Sequence, residues 1–168
     1  MYLTGGEFKG YKIELPKSAR PTLSKVRESV FNMLDNLDHG NKFLDMFAGS
    51  AIMGLEATSR GYEAVELEID KKACDIIKSN YFKIKPNAKI INCNALKYNG
   101  ETFDIIYIDP PYDYDYKPVI KKALELLNNY GLIIVEHDKK IDFDEFNLEQ
   151  LKSKKYGRCL IDILRKIN

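Results

Sequence analysis

Cysteine is scarce in this chain. Cys74, Cys93 and Cys159 are an odd, widely spaced set with no C-x-x-C pair, and only His39 and His137 stand beside them. Such a set does not build a disulfide framework and argues against a zinc site, so no metal is expected. Unpaired thiols of this kind suit a reducing compartment, and a cytoplasmic location is expected. No stretch approaches the roughly 18 apolar residues of a membrane span, and the N-terminus has no apolar signal region. A membrane role is thereby excluded. An excess of one charge is missing too. The formal net charge is +1, which speaks against a uniformly basic, nucleic-acid-coating protein. Any polyanion site must therefore come from local clustering. Residues 1–30 supply one, with Lys9, Lys12, Lys17, Arg20, Lys25 and Arg27 against Glu7, Glu14 and Glu28.

No internal repeat and no Gly/Ser- or Pro-rich linker divides the 168 residues, which are enough to bury one core. Short alternating runs around Gly5-Gly6 and Gly10 predict a small N-terminal β-hairpin. Val26, Val30, Phe31, Met33 and Leu34 then recur at helical spacing, with Ser24 as N-cap and Gly40 as terminator. Residues 1–40 thus read as an extension packed on a domain spanning 41–168. Within that domain, apolar runs at 43–47, 64–69, 89–93, 103–108 and 132–135 alternate with helical patterns at 53–59, 72–84 and 116–128. The pattern predicts an α/β, Rossmann-like fold: a mostly parallel sheet with helices on both faces. A last run at 159–164 predicts an antiparallel strand near the C-terminus.

Open sheets of this kind bind ligands beyond the carboxyl ends of their strands. Those ends read Asp45-Met46-Phe47-Ala48-Gly49-Ser50, then Glu68-Ile69-Asp70, then Asn94-Ala95, then Asp109-Pro110-Pro111-Tyr112. The first turn is not G-x-G-x-x-G, because Ala51 stands where a close-approach glycine is needed for a pyrophosphate. Asp45 disfavours phosphate and suits an ammonium group. Glu68, about 20 residues on, is at the distance from which an acid accepts hydrogen bonds from ribose hydroxyls. Asp70 is expected to cap the following helix, and Asn94 is placed to meet an adenine amino group. An adenosine that carries a zwitterionic amino acid and no phosphate is S-adenosylmethionine; NAD ranks behind it.

Two prolines directly after a strand end make a stiff turn, since each fixes φ and lacks an N–H. In Asp109-Pro110-Pro111-Tyr112 that turn holds a carboxylate, a free carbonyl and an aromatic ring in fixed relation. Asp109 and the Pro110 carbonyl can accept the two hydrogens of a base amino group and stabilise positive charge growing on its nitrogen. Tyr112 would stack on a flipped-out or single-stranded base. An ionised carboxylate only accepts hydrogen bonds, which leans toward guanine with its adjacent N1–H and N2–H donors.

These motifs, with Gly5-Gly6, Lys9-Gly10-Tyr11-Lys12, Arg20-Pro21-Thr22, Val26-Arg27-Glu28, Gly54-Leu55-Glu56-Ala57, Ser59-Arg60-Gly61 and Val135-Glu136-His137, cover nearly the whole chain. In them the sequence resembles the RsmD-like 16S rRNA guanine-N2 methyltransferases, within the class I S-adenosylmethionine-dependent methyltransferases. The resemblance implies that Asp45, Phe47, Ala48, Gly49, Ser50, Glu68, Ile69, Asn94 and Ala95 line the cofactor. It implies that Asp109, Pro110, Pro111 and Tyr112 hold the target, and that Arg20, Thr22, Lys25 and Arg27 meet RNA. The implied substrate is a guanine of 16S rRNA, position 966 by family analogy, in the 30S subunit or its precursor. A monomer without an obligate protein partner is expected. A base-amino methyltransferase acting on DNA or tRNA, and a non-catalytic RNA-binding module, are the alternatives. Ala51 departs from the family's glycine and is expected to place a methyl where the cofactor's chain runs.

Overall fold

Seven strands form one sheet in the order β3-β2-β1-β4-β5-β7-β6 in the computed structural model, which describes residues 1–167. They are β1 (Lys42–Asp45), β2 (Glu63–Glu68), β3 (Lys89–Asn92), β4 (Phe103–Ile108), β5 (Leu127–His137), β6 (Leu148–Tyr156) and β7 (Cys159–Lys166). The helices are α1 (Ser24–Leu34), α2 (Ile52–Ser59), α3 (Lys71–Phe82) and α4 (Tyr116–Leu126). Strands β1 to β5 pair in parallel, whereas β7 is antiparallel to both neighbours, so it alone runs against the sheet. This is the class I methyltransferase arrangement. The order reverses between β1 and β4, and that switch point opens a crevice above their carboxyl ends.

The near-continuous apolar runs follow from burial on both faces. Alternate side chains point to opposite faces of a strand. Phe43, Ile105, Tyr107 and Ile134 accordingly join one core cluster with Phe31 of α1, Leu55 of α2 and Ile77 of α3. Leu44, Ile106 and Ile133 join the other with Val119, Ile120 and Ala123 of α4. Polar residues at the strand ends are thereby left for the crevice.

The N-terminal hairpin is minimal, a single bridge rather than two regular strands. Tyr2 and Lys12 make one antiparallel bridge, flanked by bonds such as Leu3 N–H to the Tyr11 carbonyl (3.0 Å). The turn at its tip docks on α2: Glu7 N–H donates to the Ser59 carbonyl (2.7 Å) and Phe8 N–H to Ser59 Oγ (2.9 Å). The centre of this docking is Glu56, fully buried in α2. Its Oε1 accepts from Thr4 N–H (2.9 Å), Thr4 Oγ1 (2.9 Å) and Arg27 Nε (3.0 Å), and its Oε2 from Arg60 Nη1. Leu3, Ile13 and Val26 share the core cluster of β1 and α2.

Other boundaries also differ from expectation. Ser24 is the first residue of α1 rather than its cap; Leu23 holds the cap position with no side-chain bond. The helix ends at Leu34, not at Gly40. β5 starts at Leu127, inside the segment expected to be helical. The C-terminus contributes two strands, not one, because the polar run of β6 pairs along β7 as an edge strand. An exposed edge strand carries no apolar alternation to read.

Candidate active site

A cleft of about 750 Å³ lies at the switch point, within the range usual for a small-molecule site. Its floor is the turn after β1. Gly49 adopts φ +57°, and its N–H donates to Glu68 Oε2 (2.7 Å), while Glu68 Oε1 accepts from Asp70 N–H (2.8 Å). Glu68 thus ties the ends of β1 and β2 together and lines the cleft. Asp70 caps α3 as expected, accepting from Lys72 N–H (2.8 Å). Asp45 is buried, and its Oδ1 accepts from Phe47 N–H (3.2 Å). Phe47 meets Tyr114 edge to face at 5.4 Å. Asn94 Oδ1 is taken by Leu96 N–H (3.0 Å), so its amide nitrogen is the atom left over for a ligand. Ile69, 70 % exposed on the cleft rim, offers an apolar surface to a planar ring.

The Asp109–Tyr112 turn forms the opposite wall. Pro110 is buried, anchoring the turn, and Tyr112 is 70 % exposed. The cleft therefore brings together Asp45, Phe47, Ala48, Gly49, Ser50, Glu68, Ile69, Asn94 and Ala95 with Asp109, Pro110, Pro111, Tyr112, Arg20 and Thr22. The other two RNA candidates part from them. Lys25 is exposed on a separate cleft between α1 and β6. Arg27 is only 2 % exposed, bonded to Glu56, to the Thr22 carbonyl (2.6 Å) and to the Tyr2 carbonyl (3.0 Å). Its guanidinium holds the N-terminal segment and is closed to RNA. The expectation for Arg27 is corrected on that ground. Ala51 is also corrected: it is fully buried in the core cluster of α1 and α2 and does not line the cleft, although it takes a left-handed φ of +59°.

Reasoning from the sequence missed Glu136 and its surroundings. Glu136 ends the apolar run of β5 and lines the cleft; the same strand-end rule that found Asp45 and Glu68 would have found it. Its Oε2 accepts from Tyr107 Oη, its carbonyl from Tyr116 Oη (3.0 Å), and its Oε1 from Cys159 Sγ (3.3 Å). Beneath the first turn lies a further acid, Glu66, fully enclosed and bonded by Tyr81 Oη (2.5 Å). Gly54 is what makes room for it, since a Cβ there would stand 1.5 Å from Glu66 Oε1.

Asp45, Glu68, Asp109 and Glu136 share this space, and Arg20 acts against Asp109. Burial, then Glu136 and Asp45, push Asp109 up to about 8, and Arg20 draws it down. Burial, then Glu68 and Glu136, push Asp45 up to about 7 against the Phe47 N–H. Burial and Asp45 raise Glu66 well above the carboxylate range. The cleft is short of positive charge. A cationic ligand would relieve it, and a pyrophosphate would worsen it.

A mostly parallel sheet of this order with strand-end acids facing an Asp-Pro-Pro-Tyr turn defines a methyltransferase of the class I fold. Residues 1–165 match the model of the family described as Conserved hypothetical protein 95, and the chain belongs to that family, the RsmD-like methyltransferases. It is 36% identical over 155 residues to the Ribosomal RNA small subunit methyltransferase D of Buchnera aphidicola from Acyrthosiphon pisum, covering 83% of this chain and 79% of that one. Against the Escherichia coli K12 protein of the same name the identity is 33% over 141 residues, 80% of this chain and 70% of the other. The solved structure of the Thermus hypothetical protein TTHA0928 superimposes with a TM-score of 0.81 at 28% identity, covering 99% of each chain. No helix among the described residues is long and apolar enough to cross a membrane, and no group of His, Cys, Asp and Glu there could hold a metal.

Proposed function

We propose that this protein methylates the N2 amino group of a guanine in 16S rRNA, on the 30S particle or its precursor, with S-adenosylmethionine as donor. The observation that carries the reading is the acid-rich cleft facing the Asp109–Tyr112 turn, with Tyr112 standing open to solvent. The names of the relatives support rRNA as the substrate class. The cofactor fits by charge: its sulfonium and ammonium groups suit a cleft lined by seven carboxyl groups against Arg20, Lys139 and Arg158. When bound, it supplies an already activated methyl group.

The chain's own task is then alignment. Glu68 and the Gly49 turn suit the ribose, Asp45 the ammonium, and Ile69 with the Asn94 amide the adenine. Tyr112 stacks on the target base. Asp109 and the Pro110 carbonyl accept from the amino group and stabilise the charge that grows on its nitrogen.

Tritiated S-adenosylmethionine offered to separated 30S, 50S, tRNA and DNA should label 30S alone, in N2-methylguanosine. Asp109→Ala should lose about 10²–10³-fold in rate. Unchanged N2-methylguanosine in 16S rRNA of a deletion strain would sink the proposal. One observation favours a second reading. Asp109, pushed up to about 8, can hold a proton and offer a donor beside an acceptor, the pattern that adenine matches. Label in N6-methyladenosine would select that reading.

A further inference from the structure

We infer that the RNA does not end at the catalytic cleft but continues along a second groove, between α1 and the edge strand β6, where lysines grip its phosphates. The inference rests on the proposed RNA substrate and extends it to a surface that the reading above does not use.

This groove encloses about 500 Å³ and is lined by Lys25, Asn32, Asn36, Lys152, Lys154 and Tyr156, with Glu28 its one acid. Three cations against one acid make it locally basic in a chain whose net charge is +1. Among the described residues, none of the three lysines takes part in an ion pair, unlike Lys89, Lys117, Lys122 and Lys139. Their charge is uncommitted. The walls are fixed in place: Tyr156 Oη donates to Ser29 Oγ of α1, and Lys154 Nζ stands 5.5 Å from the Tyr156 ring centre.

Two chain segments join the groove to the catalytic cleft, and each carries a cation into both. On the N-terminal side Arg20 lines the catalytic cleft and Lys25 the groove. On the C-terminal side Arg158 lines the catalytic cleft, while Tyr156, Lys154 and Lys152 line the groove. Residues two apart on a strand share a face, so these three follow one another at steps of ~6.6 Å along β6. That step is comparable with the separation of successive phosphates along a nucleic-acid strand. A polyanion leaving the catalytic mouth past Arg20 and Arg158 would therefore meet a lysine ladder already in register. Edge strands also carry lysine simply to prevent edge-to-edge association; that role needs charge but not positive charge.

Charge reversal separates the two. The test uses the full chain, with Lys152→Glu plus Lys154→Glu, and a control pair, Lys83→Glu plus Lys121→Glu, that changes the net charge equally at exposed sites outside the groove. Three readings are taken: KM for 30S particles in methyl transfer, salt-dependent binding of an oligouridylate, and calorimetric affinity for S-adenosylmethionine. The groove pair should raise KM at least tenfold and lower the salt slope of oligouridylate binding by about 1.4, the value for two lost phosphate contacts on a single strand. Cofactor affinity should not move, which also certifies the fold. A groove pair that leaves KM and slope at wild-type values overturns the inference, as does a control pair with equal loss. Failure of the functional reading is a separate result: wild-type protein that transfers no methyl group to 30S.

Discussion

Removing the Glu56 carboxylate, by Glu56→Ala, tests the way the N-terminal segment is held. Glu56 is fully buried and accepts from Thr4, Arg27 and Arg60. Truncation would leave Arg27, 2 % exposed, as a buried cation bonded only to the carbonyls of Thr22 and Tyr2 and to the Met1 sulfur. Arg60 is less affected, because it reaches solvent. Breaking one partner of a buried pair costs about 3–5 kcal/mol, against a total stability of about 5–15 kcal/mol for a domain. At about 2–4 °C per kcal/mol for a chain of this size, the midpoint should fall by roughly 6–20 °C. The check is urea and thermal unfolding, with limited proteolysis of residues 1–22. Replacing both partners by apolar residues of similar volume, Glu56→Leu with Arg27→Met, should recover most of the loss, because neither charge is then stranded. A loss below about 1 kcal/mol for Glu56→Ala would refute the claim that Glu56 is the hub. Activity should fall with stability here, since Arg20 and Thr22 reach the cleft through this segment.

Cofactor binding should release protons near pH 7, because a cationic ligand favours the charged forms of Asp45 and Asp109, which lie near 7 and 8 without it. Calorimetry in buffers of different ionisation enthalpy checks this, and proton uptake would contradict it. In the free protein both folded pKa values exceed their unfolded ones, so these two groups bind more protons when folded between about pH 4 and 8. Their contribution should therefore favour the fold at the acid end of that window and weaken as pH rises through 7 and 8. Ala51→Gly should leave cofactor affinity within about twofold. Fold stability should also change little, since relief of left-handed strain, about 1–2 kcal/mol, roughly offsets the lost buried methyl, about 0.8 kcal/mol, and the added chain entropy, about 0.5–1 kcal/mol. A tenfold gain in affinity would put the methyl back in the cleft. Tyr112→Ala should weaken binding of RNA by about 1–3 kcal/mol, read as KM, without moving cofactor affinity.

Periodicity and strand ends were legible from the chain alone. Runs such as Phe103–Ile108 are apolar because central parallel strands bury both faces, and the acids that follow them mark the crevice by a rule of topology. Asp45, Glu68 and the Asp109–Tyr112 turn could be picked out because each is a local departure from an apolar pattern. The fate of charged residues was not local. Arg20, Lys25 and Arg27 look alike as letters, yet one lines the cleft, one lines a second groove and one is buried against Glu56. Burial, partner and direction are set by segments distant in sequence, here by α2 docking onto residues 1–13. Ala51 makes the same point. Its left-handed φ and inward methyl depend on how the turn meets α2, so its identity announced a departure but not its direction. Local pattern determines most of the elements and the strand ends that face the crevice; long-range packing decides exact boundaries, the polar edge strand and which polar groups remain free to act, because desolvation and partner choice arise only once the chain has closed on itself.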